Sequence, residues 1–238
     1  MSYDTLVVAA HPDDAEAQMG GTLAKLAGKG QRILLVDLTD GEPTEFAAPG
    51  VRACQAAEAA TILGVDRTCL GLRDRLLSDS TGPRLELARL IREHRPRWVY
   101  GTGEACVHPD HAAAVGLTRA AVFLARLGQW EQVADSARLA EFEPWAVERL
   151  FFPHCKMEPA WSEFAFAVDV SETYERKRLA LAAYGSIFKG EGDRLLSLYE
   201  AEDQYYGRLL GVAYAEIFRS ASPLLVDDPT LFLPGLHG

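Results

Sequence analysis

The chain is poor in cysteine and has no cysteine pattern. Cys54, Cys69, Cys106 and Cys155 form no Cys-x-x-Cys pair and no regular framework. That excludes a disulfide-stapled scaffold and points to a reducing, cytoplasmic compartment. No apolar run approaches the roughly 20 residues of a membrane-spanning helix, so no membrane partner is expected. Met1-Ser2-Tyr3-Asp4 carries no basic stretch, and the apolar run after it is too short for a secretory signal. Basic clusters are also missing: 24 Lys and Arg stand against 34 Asp and Glu, for a net charge of -10. Nucleic acids need a basic face to neutralise their phosphates, so DNA and RNA are not expected partners. A small acidic substrate needs only one or two local Arg.

A short apolar run, Asp4-Thr-Leu-Val-Val-Ala-Ala10, opens the chain and reads as a fully buried strand. It ends in His11-Pro12-Asp13-Asp14. Pro12 fixes its own φ and biases His11 towards an extended conformation, so an imidazole and two carboxylates sit on a stiff corner. Carboxylates there replace the glycines and free backbone N–H groups that a dinucleotide pyrophosphate requires, and Gly101-Thr-Gly103 is too weak a signal to restore that reading. Taken alone, Asp14 reads as a helix N-cap. A second tetrapeptide changes the weighting: His108-Pro109-Asp110-His111 follows the apolar Trp98-Val99-Tyr100. Three of the six histidines fall in these two near-identical tetrapeptides, which capping does not explain.

Between and beyond them the chain alternates strand and helix. Helices are expected near 15–27, 51–63, 83–94 and 109–127, with strands at 31–38, 67–72 and 97–101. Gly20-Gly21 reads as close packing of the first helix. Glu16 reads either as support for the site through a hydrogen bond or, more simply, as decoration of that helix's first turn. Further on, strands are expected at 149–152 and 164–170. An amphipathic helix over 171–188 follows, capped by Ser171, with Lys177 outward and Leu179 inward. A last helix spans about 193–210. A β-α rhythm with short connections predicts a doubly wound, mainly parallel Rossmann-like α/β sheet with helices on both faces. No linker or repeat divides the chain, and 48% hydrophobic residues suffice for one core, so residues 1–238 read as a single domain. In the strand order 3-2-1-4, strands 1 and 4 are neighbours at the switch point, where ligands bind. Topology then brings the two tetrapeptides to one crevice.

Two imidazoles and one carboxylate with open positions describe a catalytic Zn2+ site, which supplies hydroxide at neutral pH. His11, Asp14 and His111 can hold the ion, although spacing does not decide between His108 and His111. Asp13 is then placed as general base, and His108 either as oxyanion stabiliser or as the acid that protonates a leaving amine, which suits amide or ester hydrolysis. Asp110 either orients a histidine or caps a helix. His154 follows a strand end, where it lines a pocket or packs in the core. Cys106, two residues before His108, reads as a thiolate metal ligand or, more simply, as a packing residue. The same donor set also forms a non-haem Fe2+ triad, but the β-α rhythm is foreign to that enzyme class. An idle metal-binding homologue is the third reading, opposed by the intact Asp13 and His108.

Val8-Ala-Ala-His-Pro-Asp-Asp-Ala-Glu16 with Gly20-Gly-Thr-Leu-Ala24 resembles the first signature of the LmbE/PIG-L family of zinc-dependent N-deacetylases, and His108-Pro-Asp-His111 resembles its second. The likeness continues through Leu38-Thr-Asp-Gly-Glu42, Arg52, Val168-Asp-Val-Ser171, Lys177 to Tyr184 and Gly211 to Glu216. It points to the branch containing a bacillithiol-pathway N-acetylglucosaminyl-malate deacetylase. The resemblance implies His11, Asp14 and His111 as metal ligands, Asp13 as general base and His108 as stabiliser of the tetrahedral intermediate. It also implies Arg52 and Asp74 as substrate-binding residues, a small amino-sugar substrate, Zn2+ (with Fe2+ as the alternative) and a homo-oligomer, trimer or hexamer. Cys106-Val107 and Pro153 to Pro159 depart from the family pattern near the expected substrate position.

Overall fold

The structure is a computed structural model and describes residues 2–44, 47–104, 107–133, 137–156, 164–185 and 192–225. Its centre is a seven-stranded sheet. The strands are β1 (Thr5–Ala9), β2 (Ile33–Thr39), β3 (Asp66–Leu72), β4 (Trp98–Tyr100), β5 (Arg149–Pro153), β6 (Phe166–Asp169) and β7 (Ala215–Ser220). Their order is β3-β2-β1-β4-β5-β7-β6. The first five pair in parallel, whereas β7 runs antiparallel to both β5 and β6. The sheet is therefore mixed at one end, and the parallel part has the doubly wound order.

Successive side chains of a strand point to opposite faces, and β1 and β2 show the consequence. Leu6, Val8, Leu34 and Val36 pack on one side with Leu87 and Ile91 of α3 (Thr81–His94) and with Leu117 and Ala121 of α4 (Pro109–Ala125). Val7, Ala9 and Leu35 pack on the other with Met19 and Leu23 of α1 (Asp14–Gly28), with Leu63 of α2 (Val51–Leu63), and with Ala180 of α6 (Tyr174–Ala182). A short α5 (Ala137–Ala140) lies between α4 and β5, and α7 (Gly192–Leu210) precedes β7. Among the described residues, no helix is long and apolar enough to cross a membrane.

Because β1 pairs with both β2 and β4, the turns after β1 and β4 lie side by side. Two bonds fix that junction. Thr102 Oγ1 donates to the Val8 carbonyl (3.1 Å), and the Gly103 N–H donates to Gln18 Oε1 (2.7 Å). Gly21 packs where a Cβ would come within 2.7 Å of Val170, so the glycine pair is indeed a packing feature.

The region after β5 differs from the expected pattern. The helix expected over 171–188 begins at Tyr174 with Thr173 as its N-cap; Phe188 lies outside the described residues. Ser171 instead ties the β6 end to the chain before β7, donating to Asp169 Oδ1 and accepting the N–H groups of Ala213 and Tyr214. The faces of α6 are also rotated. Lys177 is fully buried, and Leu179 is 43% exposed. The buried positions Tyr174, Lys177, Ala180, Leu181 and Tyr184 keep the helical spacing, but one of them is a charge. It is tolerated because Lys177 Nζ donates to Asp203 Oδ2 (2.6 Å) and Glu216 Oε1 (2.8 Å). Strand β7 carries Glu216 at a fully buried position, which breaks the apolar pattern by which a strand is recognised.

Candidate metal centre and active site

Helix α1 starts directly after the His11-Pro12 corner. Asp13 takes the N-cap position with φ 107° and makes no side-chain cap hydrogen bond. That left-handed conformation costs a non-glycine residue about 1–3 kcal/mol. Asp14 is the first helical residue, so the capping reading of Asp14 fails. Its carboxylate turns instead to the two tetrapeptides. Oδ2 accepts the His11 backbone N–H (2.9 Å) and lies 3.3 Å from His11 Nδ1, while Oδ1 lies 3.1 Å from His111 Nε2. The His11 and His111 rings are 5.4 Å apart between centroids, and His108 stands 4.9 Å from His11 and 5.0 Å from His111. Residues nearly a hundred positions apart in sequence thus meet at the switch point.

Behind His11 stands a second pair of carboxylates. Its Nε2 lies 3.0 Å from Asp74 Oδ1 and 3.2 Å from Asp110 Oδ2. Asp110 does not cap α4. Its oxygens accept the backbone N–H groups of Arg75 (2.7 Å) and Leu77 (3.3 Å), which brings the β3–α3 loop, and Asp74 with it, against the imidazole. Carboxylates thus face both ring nitrogens, Asp14 at Nδ1 and Asp74 and Asp110 at Nε2. A carboxylate behind a histidine in this way is the usual support of a metal ligand.

His108 is the N-cap residue of α4, and its Nδ1 accepts the Asp110 N–H (3.2 Å). A neutral imidazole that accepts at Nδ1 carries its proton on Nε2. In that form its Nε2–H can donate to a bound group. Arg52, in the first turn of α2, donates from Nη2 to the Pro12 carbonyl (2.8 Å) and Asp13 Oδ1 (3.3 Å), and from Nη1 to the Gly41 carbonyl (2.9 Å).

The electrostatics separate the two neighbouring carboxylates. Burial, only partly offset by Arg52, pushes the Asp13 carboxyl up to about 7. Burial acts on Asp14 too, but hydrogen bonds from His11 and His111 outweigh it and hold that carboxyl well below the usual range. For His11, burial opposes the charged form, and the carboxylates of Asp14 and Asp110 overcome it, so its pKa is raised. Two imidazoles with an ionised carboxylate between them match the donor set of a divalent cation. His11, His108 and His111 can each offer one nitrogen within 4.8 Å of the others, as can His11 with the oxygens of Asp74 and Asp110.

Glu16, expected on the helix surface, is fully buried. Its Oε1 accepts from Arg67 Nη1 (2.5 Å) and from the Tyr184 hydroxyl (2.9 Å). His154 is a core residue, 3.0 Å from Glu202 Oε1 and 3.3 Å from the Tyr206 hydroxyl. Cys106 lies outside the described residues, as does the departing stretch from residue 157 onwards. Burial raises the pKa of Tyr199 in α7, and the charges of Asp13 and Asp14 raise it further. A groove of about 870 Å³ lined by Leu26, Trp98, Tyr100, Phe151 and Phe166 opens elsewhere on the sheet and includes none of these residues.

Residues 6–122 match the family model PIG-L, described as GlcNAc-PI de-N-acetylase. The chain is 29% identical over 230 residues to a diacetylchitobiose deacetylase of Thermococcus kodakarensis, covering 90% of this chain and 81% of that one. It is 32% identical over 227 residues to a 1D-myo-inositol 2-acetamido-2-deoxy-alpha-D-glucopyranoside deacetylase of Mycobacteroides abscessus, covering 76% and 80%. Among solved structures it resembles the conserved protein TT1542 from Thermus thermophilus, with a TM-score of 0.84, 41% identity and coverage of 94% and 97%. Sheet order, paired tetrapeptides and extended sequence identity agree: this chain belongs to the PIG-L/LmbE family.

Proposed function

We propose that this protein is a metal-dependent N-deacetylase that hydrolyses the acetamide of a small N-acetylglucosamine-containing compound. The observation that carries the reading is the convergence of His11, Asp14 and His111, with Asp13 and His108 beside them. The named activities of two relatives, both deacetylases of acetamido sugars, supply the substrate class. His11 through Nδ1, Asp14 and His111 through Nε2 would hold the cation, for which Zn2+ is the natural candidate with this donor set. A divalent cation held there would supply Lewis acidity, to polarise an amide carbonyl and lower the pKa of a bound water towards neutrality.

The chain's own groups supply the rest. With Nδ1 on the cation, Asp74 and Asp110 would hold the remaining His11 proton on Nε2. Asp13, adjacent to the ligands, takes the proton of the attacking water and returns it to the amide nitrogen as the C–N bond breaks, so that the amine leaves neutral and acetate is the second product. His108 presents Nε2–H to the oxygen on which negative charge develops as the carbonyl carbon becomes tetrahedral. Asp110 holds that ring in this tautomer through its backbone N–H.

Amine release should be measured across a panel of N-acetylglucosamine conjugates, with and without a chelator. Turnover of at least one conjugate, abolished by chelator and restored by Zn2+, is expected. D13N should keep its metal and lose about 100-fold or more in kcat. A D13N variant as active as wild type refutes the base assignment, and chelator-resistant turnover refutes the metal.

A further inference from the structure

Helix α1 is two segments rather than one. Met19, inside it, has φ -150° and ψ 22°, outside the helical range. The segment before the break is little more than one turn, and it carries the site. Asp14 reaches His11 and His111, Glu16 reaches Arg67 and Tyr184, and Gln18 accepts the Gly103 N–H. The segment after the break packs on the sheet through Leu23 and Ala24.

A helix that starts anew leaves its first N–H groups without partners inside the helix. Glu216 of β7 supplies them. Its Oε1 accepts the Gly21 N–H (3.0 Å) and its Oε2 the Thr22 N–H (2.7 Å). The carboxylate is fully buried and is paired with Lys177 Nζ (2.8 Å). An anion at this end also suits the helix dipole. The break is shaped to admit its neighbours. A Cβ on Gly20 would meet Lys177 Cγ at 3.0 Å, and one on Gly21 would meet Val170 Cβ at 2.7 Å. Thr173 Oγ1 donates to the Gly21 carbonyl (2.8 Å). We propose that Glu216 is a positioning residue for Asp14: as an internal cap it holds the break at Met19, so that the first turn is aimed by its own bonds and not by the axis of the segment on the sheet. The assignment rests on the metal-centre reading above. Without the cap, the N–H groups of Gly21 and Thr22 would recover partners by straightening the helix towards the carbonyls of Ala17 and Gln18, which swings Asp14 away from the imidazoles. The residue type follows as well. A carboxylate offers acceptors to two adjacent N–H groups and to a lysine, whereas a glutamine would turn its own N–H groups towards donors.

Zn2+ affinity should be compared between wild type and E216Q by competition with a chromophoric chelator, at a temperature where circular dichroism shows both folded. E216Q should bind Zn2+ about 3- to 30-fold more weakly. Crystals of metal-free E216Q should show Met19 in helical dihedrals and the Asp14 carboxylate no longer between His11 and His111. A role in folding alone would lower the urea midpoint and leave the affinity unchanged. That result, or Asp14 unmoved, overturns the proposal. If wild type binds no Zn2+, the metal-centre reading fails by itself, and the place of Asp14 in the variant crystals still decides the cap. If E216Q does not fold, E216D, which keeps the charge but withdraws it by one methylene, carries both readouts.

Discussion

The two nitrogens of His11 face different neighbours, and carboxylates dictate both. A buried imidazole is the least costly to charge, or to ligate, where anions already surround it. The same logic holds a second cluster near the site. Arg67 grips Asp37 with Nε (2.6 Å) and Nη2 (2.8 Å), and reaches Glu16 and Tyr184 with Nη1. Burial pushes the Asp37 carboxyl up to about 6, with Arg67 pulling it down and Glu16 and Asp14 adding to the rise. An acid whose folded pKa lies above its unfolded value, about 4, stabilises the fold most below pH 4. That contribution is lost as pH rises through 6. D37N has no such titration. Urea melts should therefore show the stability of wild type relative to D37N falling by up to about 3 kcal/mol between pH 4 and pH 6. A difference that stays constant or grows over that window contradicts the assignment.

Elements around the sheet are joined by buried charge as well as by apolar contact. Lys177 of α6 meets Asp203 of α7 and Glu216 of β7, and Lys156 also donates to Asp203. Glu216 in turn accepts the backbone N–H groups of Gly21 (3.0 Å) and Thr22 (2.7 Å) in α1. One lysine thus links the helix that bears Asp14 to the antiparallel end of the sheet. K177M keeps the volume but strips a cation from two buried carboxylates, so it should cost about 3–5 kcal/mol in urea unfolding. A loss under about 1 kcal/mol would show that the cluster is not closed as described. This region is also the least legible in the sequence. The first four strands and helices announce themselves by apolar runs and by Gly and Pro at their ends, and α2 falls on its expected bounds. In α6, a charged residue reads as solvent-facing, which holds only while no partner is buried opposite it. Its partners, Asp203 and Glu216, lie 26 and 39 residues further on, beyond any local pattern. Glu16 misleads for the same reason, its partner Arg67 being 51 residues away.

At the scale of the whole molecule, the fold's contribution to the site is adjacency. Parallel pairing of β1 with both β2 and β4 puts two corners separated by most of a hundred residues against each other. That much follows from the β-α rhythm and the two tetrapeptides. The direction of each ring does not, because hydrogen bonds to distant loops settle it: Asp74 and Asp110 at His11 Nε2, and the Asp110 N–H at His108 Nδ1. The most direct measurement is anomalous diffraction at the zinc edge from crystals grown with Zn2+. A single peak bounded by His11 Nδ1, the Asp14 carboxylate and His111 Nε2 is the expected result. A peak on the other side of His11, among Nε2, Asp74 and Asp110, or no peak at His11 at all, would contradict the metal centre.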